Sequence, residues 1–218
     1  MLEKKEYTKI ITNPYLVSAL YYSDNALKEI CSDNPKKSTQ YQIITEIRPF
    51  INKNIREKYL EVLATLCDKP DNKEKPPLKI LNYSKDLHKN HLDAIDLFIE
   101  EGSNIQALTG GIVVLAENKW NKKDKLSTSS AKGGNTVIIY KPSKKEFYRY
   151  AHLKKVYVKS GTIVKSGQTL GTVGNTGENA SKPGHGKHLH FEINKYDASK
   201  KIMVSLSVYE LKDRLTKL

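Results

Sequence analysis

The sequence predicts an α+β protein in which a small helical domain precedes an antiparallel β-sheet domain. Three observations carry this expectation. Apolar residues recur at helical spacing as far as residue 68 and then stop. Glycines and short β-branched runs take over after about residue 80. All six histidines, His88, His91, His152, His185, His188 and His190, fall in the second part. The expected division is therefore residues 1–79, a helical part ending in a linker, and residues 80–218, a β domain closed by a helix. Any chemistry belongs to the second.

In the helical part, "PYLVSALYYSDNALKEICSD" starts with Pro14 near a plausible first turn and spaces Leu16, Leu20 and Leu27 as one helix face. The next segment has Ser38 as a candidate cap, and Ile44, Ile47, Ile51 and Ile55 repeat every three or four residues. Pro49 should kink or split it. "DKPDNKEKPPLK", from Asp68 to Lys79, is charged and Pro-rich without apolar periodicity, and reads as a linker.

The strands of the β part are expected in "GGIVVLAEN", "NTVIIYKP", "EFYRYAHL", "KKVYVKSGTIVKSGQTLGTVGNTG" and "HLHFEIN", separated by Gly and Asn turns. Between two of them, Asn118 to Gly134 is a long polar connection of the kind that forms functional rims. "SLSVYELKDRLTKL" places Val208, Leu211 and Leu215 on one face of a C-terminal helix.

Composition narrows the partners. A formal net charge of +13 over 218 residues makes the surface broadly positive and favours a polyanion, such as an anionic cell-wall polymer or membrane. No zinc-finger spacing, basic zipper or aromatic RNA-binding signature occurs, so nucleic acid is not expected as a partner. No run of about 18 apolar residues occurs, so no transmembrane segment is expected. The N-terminal stretch has polar interruptions unlike a signal peptide. Cys31 and Cys67 are too few for a disulfide scaffold; pairing and two buried thiols are both open.

The histidines carry the functional signal. On a strand, residues i and i+2 project from one face, so His188 and His190 look at the same spot while Leu189 points to the core. The plainer reading is a polar strand face with two imidazoles by accident. "HKNHLDAIDLF" offers His91 and Asp96 as a nitrogen and a carboxylate ligand, before a segment expected to turn at Gly102 and Gly111. His152, ending "FYRYAHL", could face the same cleft. One carboxylate and two neutral imidazoles leave the fourth position of tetrahedral zinc open, the catalytic pattern.

Taken in order, these motifs resemble the lysostaphin-type zinc metallopeptidases, which cut peptide cross-links of bacterial peptidoglycan. The resemblance runs from about His88 to Asn194. It rests on Asp96 followed by Gly102, Ile105, Ala107 and Gly111, on "GGNTVIIY" at 133–140, on "YAHL" at 150–153, on the glycine hairpins at 158–177 and on "HGKHLHFEI" at 185–193. It implies a lysostaphin-like sheet domain, one Zn2+ per chain held by His91, Asp96 and His190, and catalytic roles for His188 as base on the water and for His152 at the oxyanion, or the two exchanged. It also implies peptidoglycan peptides as substrate and an extracytoplasmic location, in periplasm or cell wall. One departure stands out: the commonest pattern puts a histidine four residues before the aspartate, where this chain has Leu92. His91 stands five before and His88 eight before, and either could be the first ligand. If neither ligates, the domain is a non-catalytic relative that binds wall or activates another hydrolase.

Four further residues have two readings each. Glu192, at i+2 from His190, could orient that ligand or be an ordinary strand carboxylate. Tyr148 and Tyr150 could line the groove or pack in the core. His185 is expected on a turn at the surface. The glycines at 161, 167, 171, 174 and 177 are expected at positive-φ turns with low groove walls.

Overall fold

A computed structural model describes residues 55–67, 71, 73–79, 92–121, 133–200 and 202–218. Its elements are α1 (Ile55–Leu66), β1 (Ile95–Phe98), β2 (Asn104–Gln106), β3 (Gly111–Glu117), β4 (Thr136–Lys141), a 3-10 turn (Pro142–Lys144), β5 (Glu146–Ala151), β6 (Leu153–Val156), β7 (Ile163–Val164), β8 (Thr169–Val173), β9 (His188–Asp197), β10 (Ile202–Ser205) and α2 (Val208–Thr216). The fold is the expected one, mostly antiparallel sheet with few helices. Of residues 1–79, α1, Cys67 and most of the segment from Asp71 to Lys79 are described; the readings for residues 14–54, including Ser38 and Pro49, lie outside the described residues, as does Cys31.

Seven strands form one sheet in the order β1-β9-β5-β4-β3-β7, with β10 also paired to β9. A smaller sheet has the order β2-β8-β6. Strand β9 is the long member, and its two halves meet different partners on one edge: His188–Phe191 pair with β1, and Asn194–Asp197 pair with β10. On its other edge it pairs with β5. The core joins one face of the large sheet to the small sheet and α2. Leu189, Phe191 and Ile193 of β9, Tyr148 and Tyr150 of β5, Ile105 of β2, Val173 of β8 and Leu211 and Leu215 of α2 belong to one buried cluster. Each such aliphatic or aromatic side chain contributes about 1.5–3 kcal/mol on burial. This demand fixes the register of β9, because a one-residue slip would put its histidines into the core.

Two expectations about glycine change. Gly102 does turn, at φ 92, but Gly111 begins β3, where an added Cβ would come within 2.4 Å of the Tyr140 carbonyl oxygen. Gly171 and Gly174 likewise lack a left-handed φ, and their added Cβ atoms would meet the Lys155 carbonyl oxygen at 2.1 Å and the Lys154 backbone nitrogen at 2.5 Å. Close approach of neighbouring backbones, not left-handed φ, demands glycine at all three.

The segment read as a linker is packed onto the sheets where it is described. Lys75 N–H donates to Leu108 O at 2.8 Å, Gln106 N–H donates to Pro77 O at 2.8 Å, and Leu78 is fully buried in the core. Asp71 accepts from the backbone of Lys73 and Ser166. Glu74 bonds Arg214 of α2, which also bonds Glu146 and the Tyr148 hydroxyl. Charge and proline concealed this packing, since a strap bound through main-chain groups, two carboxylates and a single leucine has no apolar period.

Helix α2 starts at a capping box. The Ser207 hydroxyl accepts from Glu210 N–H, and the Glu210 carboxylate accepts from Ser207 N–H.

Candidate active site

The outer face of β9 carries the chemistry. Asp96 of β1 stands opposite His190, and Phe98 opposite His188; Ala151 of β5 lies on His190's other side. Because the next residue after Ala151 is His152, the corner between β5 and β6 delivers a third imidazole. Its ring centroid lies 4.8 Å from that of His188 and 5.5 Å from that of His190. Thus Asp96, His152, His188 and His190, drawn from three separate stretches, meet at one place. All four line a single cleft, together with Asp93, Arg149 and the loop from Asn179 to Gly186.

Within the cluster, His190 Nδ1 and Asp96 Oδ1 are 2.8 Å apart. A carboxylate only accepts, so His190 donates from Nδ1. His188 Nε2 stands 3.8 Å from the other oxygen, Oδ2. An imidazole nitrogen and a carboxylate oxygen aimed at each other are a zinc-type pair, and ligands 2.0–2.1 Å from a tetrahedral ion would sit about 3.3 Å apart. A small opening of the pair admits an ion, so the residues fit the metal. Among the described residues no set of three such side chains is arranged to hold one. His91 and His88 both lie outside the described residues.

His152 is held by unusual means. Its backbone is left-handed, with φ 66, a costly conformation for a non-glycine residue. Its N–H donates to Gly133 O at 2.9 Å, and Nδ1 lies 2.7 Å from Thr176 O. Since that carbonyl can only accept, Nδ1 carries the proton and Nε2 holds the lone pair. The carbonyl is itself positioned: the Thr176 hydroxyl donates to Leu153 O and accepts from Asn135 N–H. Gly134 permits this approach, since a Cβ there would meet the Thr176 carbonyl carbon at 2.3 Å and its φ is 64. Burial first, and then the neighbouring His190 and His188, push the His152 imidazole down to about 3. Burial also lowers His188, against the pull of Asp96. Both imidazoles are therefore neutral at neutral pH.

The remaining residues resolve as follows. Glu192 is buried and ion-paired with Arg149, its partner on β5. Burial alone would raise its carboxyl, but Arg149, His190 and Asn194 together outweigh burial and lower it. Tyr148 and Tyr150 are fully buried on the core face, so neither lines the groove. The Tyr150 hydroxyl accepts from Leu108 N–H. His185 is exposed, as expected of a turn, and lines the cleft. The low walls come from Gly133, Gly184 and Gly186, not from the hairpin glycines expected to supply them. Sequence reasoning missed Phe98 and Arg149. The i, i+2 rule that paired His188 with His190 also puts Phe98 with Asp96, and Arg149 opposite to Tyr148 and Tyr150.

Residues 90–202 match Peptidase family M23. This chain is a member of that family. The M23 match covers all of the described cleft. Over 98 residues the chain is 32% identical to lysostaphin of Staphylococcus simulans, a stretch covering 45% of this chain and 17% of that protein. Over 60 residues it is 44% identical to the peptidoglycan DD-endopeptidase ShyC of Vibrio cholerae, covering 28% of this chain and 12% of that one. The match thus spans less than a fifth of the length of either relative. The catalytic domain of lysostaphin from Staphylococcus simulans, a solved structure, aligns over 69% of this chain and 97% of its own at 24% identity, with a TM-score of 0.43.

Proposed function

We propose that this M23 chain is a zinc-dependent endopeptidase that hydrolyses stem or cross-bridge peptides of bacterial peptidoglycan. The observation that carries the reading is the meeting of Asp96 and His190 as a ligand pair beside two neutral imidazoles in one cleft. His190 and Asp96 would hold the metal, with His91 as the third ligand. When bound, zinc polarises the scissile carbonyl and lowers the pKa of water from about 16 toward about 7. To ligate through Nδ1, His190 would carry its proton on Nε2 and turn to the metal the lone pair of the nitrogen that now faces Asp96.

The tautomer of His152 supports a division of labour between the two other histidines. With Nδ1–H committed to Thr176, its Nε2 is a proton acceptor, and it takes the proton of the attacking water. His188 is held more loosely, with Nδ1 3.4 Å from Gly186 O, and is free to turn a proton toward the developing oxyanion. The proton collected at His152 then passes to the leaving amine. A net charge of +13 suits retention on anionic wall polymer, and the substrate implies an extracytoplasmic place of action. Among the described residues no helix is long and apolar enough to cross a membrane.

A second reading has one observation in its favour. Leu92, four residues before Asp96, is 82% exposed and donates nothing to a metal. A chain lacking the third ligand would bind wall peptide without cutting it. Zinc content separates the two: one zinc per purified chain, lost in His91→Ala and kept in His88→Ala, supports the peptidase. A chain that stays free of zinc in zinc-replete medium overturns it.

A further inference from the structure

We propose that Asn135 is a positioning residue for His152, setting the tautomer and aim of that imidazole through a clamp on the residue that follows it. The inference rests on the reading that His152 works on the attacking water. A left-handed histidine persists only where its surroundings over-determine the backbone. Three consecutive residues just ahead of β4, Gly133, Gly134 and Asn135, supply those surroundings. Gly133 O accepts the His152 N–H, and Gly134 leaves room for the Thr176 carbonyl. Asn135 closes the clamp.

Asn135 is buried, and each of its polar groups has a partner. Its carbonyl accepts from Leu153 N–H at 3.1 Å, and its Nδ2 donates back to Leu153 O at 3.1 Å. The residue after His152 is thus gripped at both ends. The Asn135 N–H donates to the Thr176 hydroxyl at 2.9 Å, and that hydroxyl donates to the same Leu153 O. Thr176 O is the acceptor that keeps the His152 proton on Nδ1. Finally, Asn135 Oδ1 accepts from Trp120 N–H at 3.0 Å. The site therefore needs a side chain that accepts at one atom and donates at the other. A carboxylate of the same shape only accepts, and would face the Leu153 and Lys154 carbonyl oxygens. His188 bonds Gly174 and Gly186, and His190 bonds Asp96, so a change at Asn135 should register at His152.

The test reads tautomers directly, in two-bond 1H–15N NMR spectra of the histidine rings of the full-length chain at pH 7. The unmutated chain should show His152 with its proton on Nδ1 and Nε2 bare. Asn135→Asp should move the proton to Nε2 or spread it over both nitrogens, while His188 and His190 keep their signals. Thr176→Val, which loses the hydroxyl and keeps the carbonyl, should do the same. Thr176→Ser, which keeps the hydroxyl, should restore the unmutated pattern. On a soluble muropeptide, Asn135→Asp should lower kcat roughly ten- to a hundredfold with KM little changed. A His152 proton on Nε2 in the unmutated chain, tautomers unmoved by Asn135→Asp, or an undiminished kcat would overturn the proposal. So would equal disturbance of all three imidazoles or loss of the fold, the marks of a merely structural residue. A shifted tautomer in a chain that never cleaves would sink the peptidase reading and leave the clamp standing. Cleavage by the unmutated chain with tautomers unmoved in the variant would do the reverse.

Discussion

The domain holds two buried clusters of ionisable side chains, and they are built on opposite principles. At the hairpin end of the sheet, Glu74, Glu146 and Arg214 pair in full, with Lys144 joining at Glu74. Lys141, 1% exposed, donates to the Thr109 hydroxyl at 2.6 Å. There the carboxylates meet cations, and the Lys141 ammonium is held by neutral oxygens. In the cleft, three imidazoles crowd one carboxylate, and burial keeps His152 and His188 neutral instead of paired. Perturbed protonation marks both clusters, so perturbation alone does not identify a functional site. What separates them is the donor set: the first clasps the strap, α2 and β5 together, and the second keeps lone pairs available in an open cleft.

Mutations should divide along the same line. The largest effects are expected at the proposed ligand pair. Asp96→Ala or His190→Ala should abolish both zinc binding, measured by metal analysis, and peptide cleavage. Next, His152→Ala and His188→Ala should keep zinc and lose roughly 10²- to 10⁴-fold in cleavage rate. Glutamine sharpens the roles, because it donates a hydrogen bond but is no base: His188→Gln should retain clearly more activity than His152→Gln. Equal losses would refute the assignment of His152 as base.

The clasp should respond in stability and not in chemistry. Arg214→Ala leaves Glu146 without its cation and Glu74 with Lys144 alone, and should cost about 3 kcal/mol in a denaturant titration while zinc content stays intact. A smaller effect follows from pH. Burial would raise the Glu74 carboxyl, but Arg214 and Lys144 outweigh burial and hold it at about 2, against 4.5 for an ordinary glutamate. A depressed folded-state value contributes stability that is whole above about pH 4.5 and drains away as pH falls toward 2. The loss should be about 1–2 kcal/mol after allowance for solvent screening, and Glu74→Gln should flatten the profile in that window. Smallest, Ser207→Ala should cost about 1 kcal/mol through the α2 cap.

Much of the cleft was legible because one rule, alternation along a strand, put His188, His190 and the core residue Leu189 on their faces. The same rule would have reached Phe98 and Arg149. His152 was legible as a residue but not in its role. Its left-handed backbone and its bond to Thr176, 24 positions away, arise from loop packing that no local pattern encodes. The strap was misread for a related reason: Lys75 bonds Leu108 and Gln106 bonds Pro77 through main-chain groups, which every residue possesses, so composition was silent about them. The capping box of α2, by contrast, stands in the sequence as Ser207 and Glu210.

The central claim is that the Asp96–His190 pair makes this cleft a zinc peptidase for wall peptides. Its most direct test is mass spectrometry of fragments released from purified peptidoglycan by the zinc-loaded chain, beside the same chain carrying Asp96→Ala. The account predicts peptide-bond cleavage by the first and none by the second. Release of the same fragments by both, or by neither, would contradict it.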